Sequence, residues 1–95
     1  MTPKVVSSIP ELLDVVRSRR DELGLTHETI DSLGGLCDGY FSKLAADPPV
    51  RGFGEMSLRA VLGALGLGIA RVEITEDVEQ AKRMRPRWRP RRRAP

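Results

Sequence analysis

The C-terminal residues carry a strong chemical signal, a run of arginines around one tryptophan. Residues 81–95 (AKRMRPRWRPRRRAP) hold eight of the 16 basic residues of the chain and no acidic residue. Guanidinium groups bind phosphates, and an interleaved aromatic ring can stack on bases. The predicted nucleic-acid contacts in this run are Arg85, Arg87, Trp88, Arg89, Arg91, Arg92 and Arg93. The same run would also suit an acidic protein surface, and a merely solubilising tail is the third interpretation.

The net charge of +3 hides an uneven distribution of charge along the chain. Residues 1–80 hold eight basic and 13 acidic residues, a net charge of −5. Domains that bind DNA usually carry a basic patch. The acidic domain therefore argues against the simplest DNA-binding hypothesis and favours a protein partner as its alternative.

The residue types also bear on catalysis and on location. The sequence has no glycine-rich phosphate loop, nucleophile elbow or metal-binding cluster, so we expect no enzyme, no cofactor and no metal. One cysteine, Cys37, cannot form an internal disulfide and fits a reducing compartment. No run of 18 apolar residues predicts a membrane span, and the N-terminus lacks the apolar core of a signal peptide. We expect a cytoplasmic protein, associated with the nucleoid when it is bound to DNA.

The elements that would position these groups begin with a predicted first helix. Ser8 and Glu11 form a capping box before it, and Gly24 is suited to ending it. Thr26 caps a second helix, which the glycine pair 34–35 would break. A third helix then opens at Cys37 or Asp38 and runs to about residue 45, and a fourth follows Ser57.

The stretch GLTHETIDSLGGLCDGYFSKLAAD, residues 24–47, resembles the helix-turn-helix of the Cro/C1 (Xre-type) family, which has the lambda repressor-like fold. That family's pattern runs roughly T-Q-x-x-L-A-x-x-A-G-V-S-x-x-Y-L-S-x-I. Residues that match in type and spacing are Thr26, Ile30, Gly34, Gly35, Leu36, Tyr40, Phe41, Ser42, Lys43 and Leu44. The segment MSLRAVLGALG, residues 56–66, resembles the helix that follows in many members. The resemblance covers about residues 12–74.

The resemblance implies a DNA-reading surface on the third helix, about residues 38–45. Matching positions place Asp38, Gly39, Ser42 and Lys43 toward the major groove, and they place His27 near a phosphate. Lysine can reach a guanine edge or a phosphate, and serine can donate a hydrogen bond to either of these. Aspartate can accept a hydrogen bond from the amino group of cytosine. Arginine, asparagine and glutamine, the usual bidentate readers, do not occur in residues 38–45. The fold could instead be kept for protein contacts, with His27 a plain exposed histidine.

Arg51 resembles the loop residues that contact the DNA backbone in this family. The alternative interpretation is that it is a solvated arginine of the loop with no contact to DNA. Residues 69–74 alternate apolar and polar side chains, which predicts a short β-strand. A lone strand has unpaired edges, so we expect it to pair with the same strand of a second copy in a C2 dimer. Ala70, Val72 and Ile74 are the predicted dimer-interface residues.

These observations predict a mainly α, four- to five-helix domain over residues 1–75, with a short C-terminal strand and a basic disordered tail over residues 76–95. A brief helix within 76–84 precedes prolines that would exclude regular structure. The predicted function is a homodimeric transcriptional regulator that binds double-stranded DNA. The alternative is a protein-interaction module, an antitoxin or an antiactivator, that binds a toxin or a regulator. A third hypothesis is an RNA binder driven by the tail.

Overall fold

The computed structural model describes residues 1–49 and 52–90. The helices are α1 (Ile9–Leu23), α2 (His27–Gly34), α3 (Tyr40–Leu44), α4 (Glu55–Ala64) and α5 (Val78–Met84), and a 3-10 turn (Arg85–Arg87) follows. The mainly helical fold predicted from the sequence is confirmed. Within the described ranges, no helix is long and apolar enough to cross a membrane.

Local capping sets the ends of the first two helices, as the sequence predicts. The Ser8 hydroxyl accepts the backbone N–H of Glu11, and the Glu11 carboxylate accepts the N–H of Ser7 in return. Gly24 ends α1 in the left-handed conformation, with φ of 67°. The Thr26 hydroxyl accepts the N–H of Thr29 at the start of α2. Each cap satisfies backbone groups that the helix itself leaves without a partner.

One apolar core joins the first four helices. Its buried members are Leu13, Val16, Ile30, Phe41, Leu44, Val61, Leu62 and Leu65. Phe41 and Leu44 are fully buried, so these two side chains attach the third helix to the core. Leu33, three residues after the buried Ile30, is exposed. The burial of these side chains supplies the main free energy that holds the domain together.

Gly34 allows α2 and α4 to approach closely. A Cβ atom at this position would lie 3.2 Å from the backbone oxygen of Ala60 and 3.2 Å from the side chain of Leu36. Helix α4 begins at Glu55, with Gly54 as its N-cap, and not at the predicted Ser57. The start moves one turn earlier because the backbone N–H of Leu58 already bonds to the oxygen of Gly54.

The structure does not support the predicted β-strand at residues 69–74. The structure shows no strand among the described residues, and residues 68–80 are all exposed. Val72 is 71% exposed and Ile74 is 90% exposed. A strand exists only through hydrogen bonds to a neighbouring strand, and alternation in the sequence cannot supply that neighbour. We name residues 70–74 the connecting arm.

The tail is more regular than predicted. The brief helix is confirmed as α5, with Asp77 capping it by accepting the N–H of Gln80. Pro86 does not end regular structure there, because it occupies an early position of the 3-10 turn, where its missing N–H costs nothing. The predicted absence of regular structure after the brief helix is therefore wrong for residues 85–87, and residues 91–95 lie outside the described residues.

Candidate nucleic-acid interface

The turn between α2 and α3 occupies residues 35–39. Gly35 has φ of 63°, and its N–H bonds back to the end of α2. The N–H of Leu36 then donates to the oxygen of Asp31 at 2.8 Å, and the Leu36 side chain packs half-buried against the core. This pair of features reverses the chain within one turn, which is the arrangement a helix-turn-helix requires.

Asp31 on α2 holds the start of α3. Its carboxylate accepts the N–H of Gly39 at 3.0 Å and the N–H of Phe41 at 2.9 Å, and only 2% of the residue is exposed. A buried carboxylate is costly unless it is hydrogen-bonded, and here both oxygens have partners. The two backbone amides belong to the helix start and would otherwise lack partners. The carboxylate therefore ties α2 and α3 into one rigid unit.

Helix α3 starts later than predicted. The sequence suggests that Cys37 or Asp38 opens it, but Gly39 has φ of 83°, a left-handed conformation that interrupts the helix. The helix therefore spans only Tyr40–Leu44. Asp38 and Gly39 lie exposed in the turn, and Ser42 and Lys43 lie exposed on α3 itself. All four still lie within one short stretch of surface.

His27 bridges α1 and α3. Its Nδ1 lies 2.8 Å from the hydroxyl oxygen of Ser42, and its Nε2 lies 2.9 Å from Nη1 of Arg20. The ring meets Phe41 edge-on, with ring centroids 5.1 Å apart. Because a guanidinium can only donate, Nε2 is the acceptor, and we assign the ring N–H hydrogen to Nδ1. The Ser42 oxygen thus accepts from His27, and its own hydrogen stays free to donate outward.

Two further arginines of α1 cap other helices. Arg17 donates through Nε to the oxygen of Ala45 and through Nη2 to the oxygen of Ala46, both at 3.0 Å. Arg19 donates through Nε to the oxygen of Leu65 at 3.1 Å. These carbonyls end α3 and α4, where the helix dipole favours a cation. Both arginines therefore bind backbone groups of the fold itself.

The exposed surface of the motif carries both signs of charge. Lys43 is the only lysine or arginine in α2 and α3, while Glu28 and Asp38 are exposed acids nearby in sequence. Lys43 and Asp38 line one small concavity together with Cys37 and Tyr40. The hydroxyl of Tyr40 donates to the oxygen of Gly52 at 2.8 Å, which secures the loop before α4. The hydrogen bond of Tyr40 thus holds one side of the concavity in place, and the concavity is lined by charges of both signs.

The C-terminal cations differ in their surroundings. Arg85 lies 3.6 Å from the carboxylate of Glu76, and Arg83 donates to the side-chain oxygen of Gln80 at 2.8 Å. Arg87, Trp88 and Arg89 are exposed, with Trp88 at 54%. The predicted contacts Arg51, Arg91, Arg92 and Arg93 lie outside the described residues. Ala70, Val72 and Ile74 are exposed on the connecting arm.

Sequence reasoning missed Asp31 and misread the arginines of α1. Asp31 stands where the family pattern has alanine, directly after the buried Ile30, and a charged residue at an inward position demands a partner. That anomaly could have identified it. Arg17 and Arg19 lie near the end of their own helix, where a cation suits the helix dipole, and nothing local shows that their partners lie 28 and 46 residues away.

Comparisons with protein-family models, with curated proteins and with solved structures found no match to this chain. The resemblance to the Cro/C1 helix-turn-helix therefore stays a prediction carried by the residues of the motif.

Proposed function

We propose that this protein is a sequence-specific, DNA-binding transcriptional regulator of the Cro/C1 type that acts as a homodimer. In this proposal α3 enters the major groove of each half-site, and Ser42 and Lys43 contact base edges. The observation that carries it is the pair of hydrogen bonds from Gly39 and Phe41 to the Asp31 carboxylate. A rigidly held α3 with exposed polar side chains is what groove reading needs.

The surroundings of the arginines support separate roles for the domain and the tail in DNA binding. Arg17 and Arg19 are engaged with carbonyl groups of the fold, so they offer little to phosphates. The exposed Arg87 and Arg89 are better placed to supply charge without reading sequence. In the proposal, the tail gives affinity, α3 gives modest direct readout, and two half-sites together give specificity.

In this proposal Ser42 acts as a hydrogen-bond donor to DNA. Since His27 donates to the Ser42 oxygen, the serine hydrogen points to acceptors on the DNA. Acceptors in the major groove are N7 and O6 of guanine, N7 of adenine and O4 of thymine. Lys43 is likewise a pure donor. The pair therefore favours the acceptors of guanine, adenine and thymine, or phosphates, over the cytosine amino group, and Asp38 is left as the reader of cytosine.

Selection of DNA from a random pool by the full-length protein tests the proposal. The expected result is an enriched inverted repeat, whose preferred bases change in S42A and K43A. Lys4→Ala is the matched control, because Lys4 is an exposed cation of the N-terminal segment, outside the motif. Absence of any enriched sequence, or an identical sequence from all the variants, would contradict the proposed use of α3.

A second candidate is a protein-interaction module, an antitoxin or an antiactivator, built on the same helices. It is favoured by the net charge of −5 on residues 1–80 and by the exposed Glu28 and Asp38 on the motif. An acidic face repels DNA and suits a basic protein surface. A toxin-like gene beside the coding gene would favour this candidate, whereas an inverted repeat in the gene's own promoter would favour the regulator.

A further inference from the structure

Arg20 lies in the last turn of α1, and its guanidinium is held within the fold. Its Nε and Nη2 lie 3.0 Å and 2.9 Å from one carboxylate oxygen of Asp21, a contact that fixes the orientation of the group. Its Nη1 lies 2.9 Å from Nε2 of His27. Only 21% of the Arg20 side chain is exposed. One donor of this arginine is therefore directed at the histidine.

The ring of His27 is fixed by neighbours from two helices. Its Nδ1 lies 2.8 Å from the Ser42 hydroxyl oxygen, and its edge contacts the buried ring of Phe41 on the same helix, α3. A half-turn of the imidazole would place carbon atoms against both Arg20 and Ser42, and both hydrogen bonds would be lost. Nε2 therefore faces α1 and Nδ1 faces α3.

Arg20 decides which ring nitrogen carries the hydrogen. A guanidinium has N–H donors and no acceptor, so a nitrogen that hydrogen-bonds to it must accept. Nε2 therefore carries no hydrogen, and the ring N–H lies on Nδ1. Among the residues that the structure describes, Arg20 is the one hydrogen-bond partner of Nε2, so no second group there sets this choice.

The position of the ring hydrogen sets the hydrogen bonding of Ser42. With the hydrogen on Nδ1, the serine oxygen accepts from the ring, and the hydroxyl hydrogen has no partner within the described part of the chain. With the hydrogen on Nε2, the same contact would run in reverse, because the serine would have to donate to Nδ1. Only oxygen lone pairs would then remain for an outside group.

These two arrangements differ in the bases that Ser42 can bind. Only the first leaves a hydrogen for the major-groove acceptors of guanine and thymine. The second offers lone pairs alone, which suit the amino group of cytosine. The direction of donation from Arg20 thus bears on the base beside Ser42, two hydrogen bonds away.

We propose that Arg20 determines base preference without contacting the base, and that His27 is the positioning residue between it and Ser42. Arg20 keeps the hydrogen on Nδ1 of His27, and His27 in turn keeps Ser42 a donor toward guanine or thymine. This inference rests on the proposed function and assigns part of its specificity to α1. In it His27 acts through Ser42 and not on a phosphate, because both ring nitrogens have partners in the fold.

Nitrogen NMR of the full-length protein without DNA, in mildly alkaline buffer, tests the first step. His27 is the only histidine of the chain, so the ring couplings belong to one residue. The expected result is a hydrogen on Nδ1 in the wild type and a population of the Nε2–H form in R20M, whose thioether cannot donate. Arg59→Met is the matched control and should keep the wild-type ring, because Arg59 is an exposed arginine of α4 without a contact to His27.

Competition between DNA duplexes tests the second step. The base at which S42A loses its preference marks the position that Ser42 reads. There we expect R20M to lower the preference for guanine or thymine over cytosine about three- to tenfold, the value of one hydrogen bond. In an S42A background R20M should leave base preference unchanged, because it acts through Ser42. A merely structural role of Arg20 would instead weaken binding to all duplexes alike.

A wild-type ring with its hydrogen on Nε2 would overturn the proposal without the use of any variant. An R20M ring identical to that of the wild type would also overturn it, and so would a change of base preference by R20M that persists in the S42A background. Absence of any enriched DNA sequence would refute DNA recognition itself, and with it this use of the cluster. The ring is measured without DNA, so the two failures are distinguishable.

Discussion

The carboxylate of Asp31 accepts the backbone N–H of Phe41 at 2.9 Å, across ten residues of sequence and from one helix to the next. Phe41 is fully buried, so this hydrogen bond lies between the motif surface and the core. It couples the position of α3 to α2, and through Phe41 to the packing of the domain. The stability of the core and the position of α3 are therefore linked at this one contact.

Asp31→Ala is expected to destabilise the domain by about 2–4 kcal/mol, because it leaves the buried amide of Phe41 and the partly buried amide of Gly39 without their carboxylate partner and opens a small void. Asp31→Asn keeps one acceptor oxygen and should cost about half as much. Denaturant unfolding followed by circular dichroism measures both. Asp38→Ala, at an exposed acid of the turn, is the control and should change stability by less than about 0.5 kcal/mol. Equal stability of D31A and D38A would contradict the capping role.

Arg17→Ala should destabilise the fold by about 1–3 kcal/mol, because the guanidinium donates to the carbonyl oxygens of Ala45 and Ala46. Arg17→Lys cannot form the two-pronged contact and should recover only part of the loss. The midpoint of urea unfolding at constant m-value reports the change. An R17A variant as stable as K4A would show that this arginine is dispensable.

Gly35 and Gly63 form a matched pair of backbone tests. Gly35 has φ of 63°, so Gly35→Ala should destabilise the protein by about 1 kcal/mol. Gly63 lies in α4 with open space where a Cβ would be, so Gly63→Ala should stabilise it by about 0.5–1 kcal/mol. Thermal melts of the two variants should shift in opposite directions. Shifts of the same sign would contradict the left-handed turn.

Ser42→Ala and Lys43→Ala should each reduce the preference for the selected site over a scrambled duplex by about 1–3 kcal/mol, the value of a good base contact. Fluorescence anisotropy on both duplexes measures this preference. Affinity for the scrambled duplex should change little in S42A. If the two variants bind both duplexes as the wild type does, α3 does not read bases.

The tail arginines should act through phosphates. Each phosphate neutralised contributes about −0.9 to the slope of log K against log salt, so R87A/R89A should make the slope shallower by about 2 per chain. Arg85→Ala should change this slope less than R87A or R89A alone does, because Arg85 already lies 3.6 Å from the carboxylate of Glu76. Sequence preference should stay nearly constant. Tighter binding by R87A/R89A would indicate instead that the tail folds onto the acidic domain and screens it.

Some features of this protein follow from sequence alone because their causes are local. A serine or threonine cap bonds an amide three residues on, as Ser8 and Thr26 do, and a glycine ends a helix through its own φ, as Gly24 and Gly35 do. These interactions depend on residues within one helical turn, so they can be predicted from the order of residues alone.

Other features were decided only by the tertiary structure, because their partners are distant in sequence. Asp31 meets the start of α3, Arg17 meets its end, and His27 meets Ser42 15 residues later. The alternation of residues 69–74 predicts an extended chain, but pairing needs a second edge that a single sequence cannot place. Sequence determined where α1 and α2 begin and end. Packing determined which polar side chains are bound inside the fold and which remain exposed.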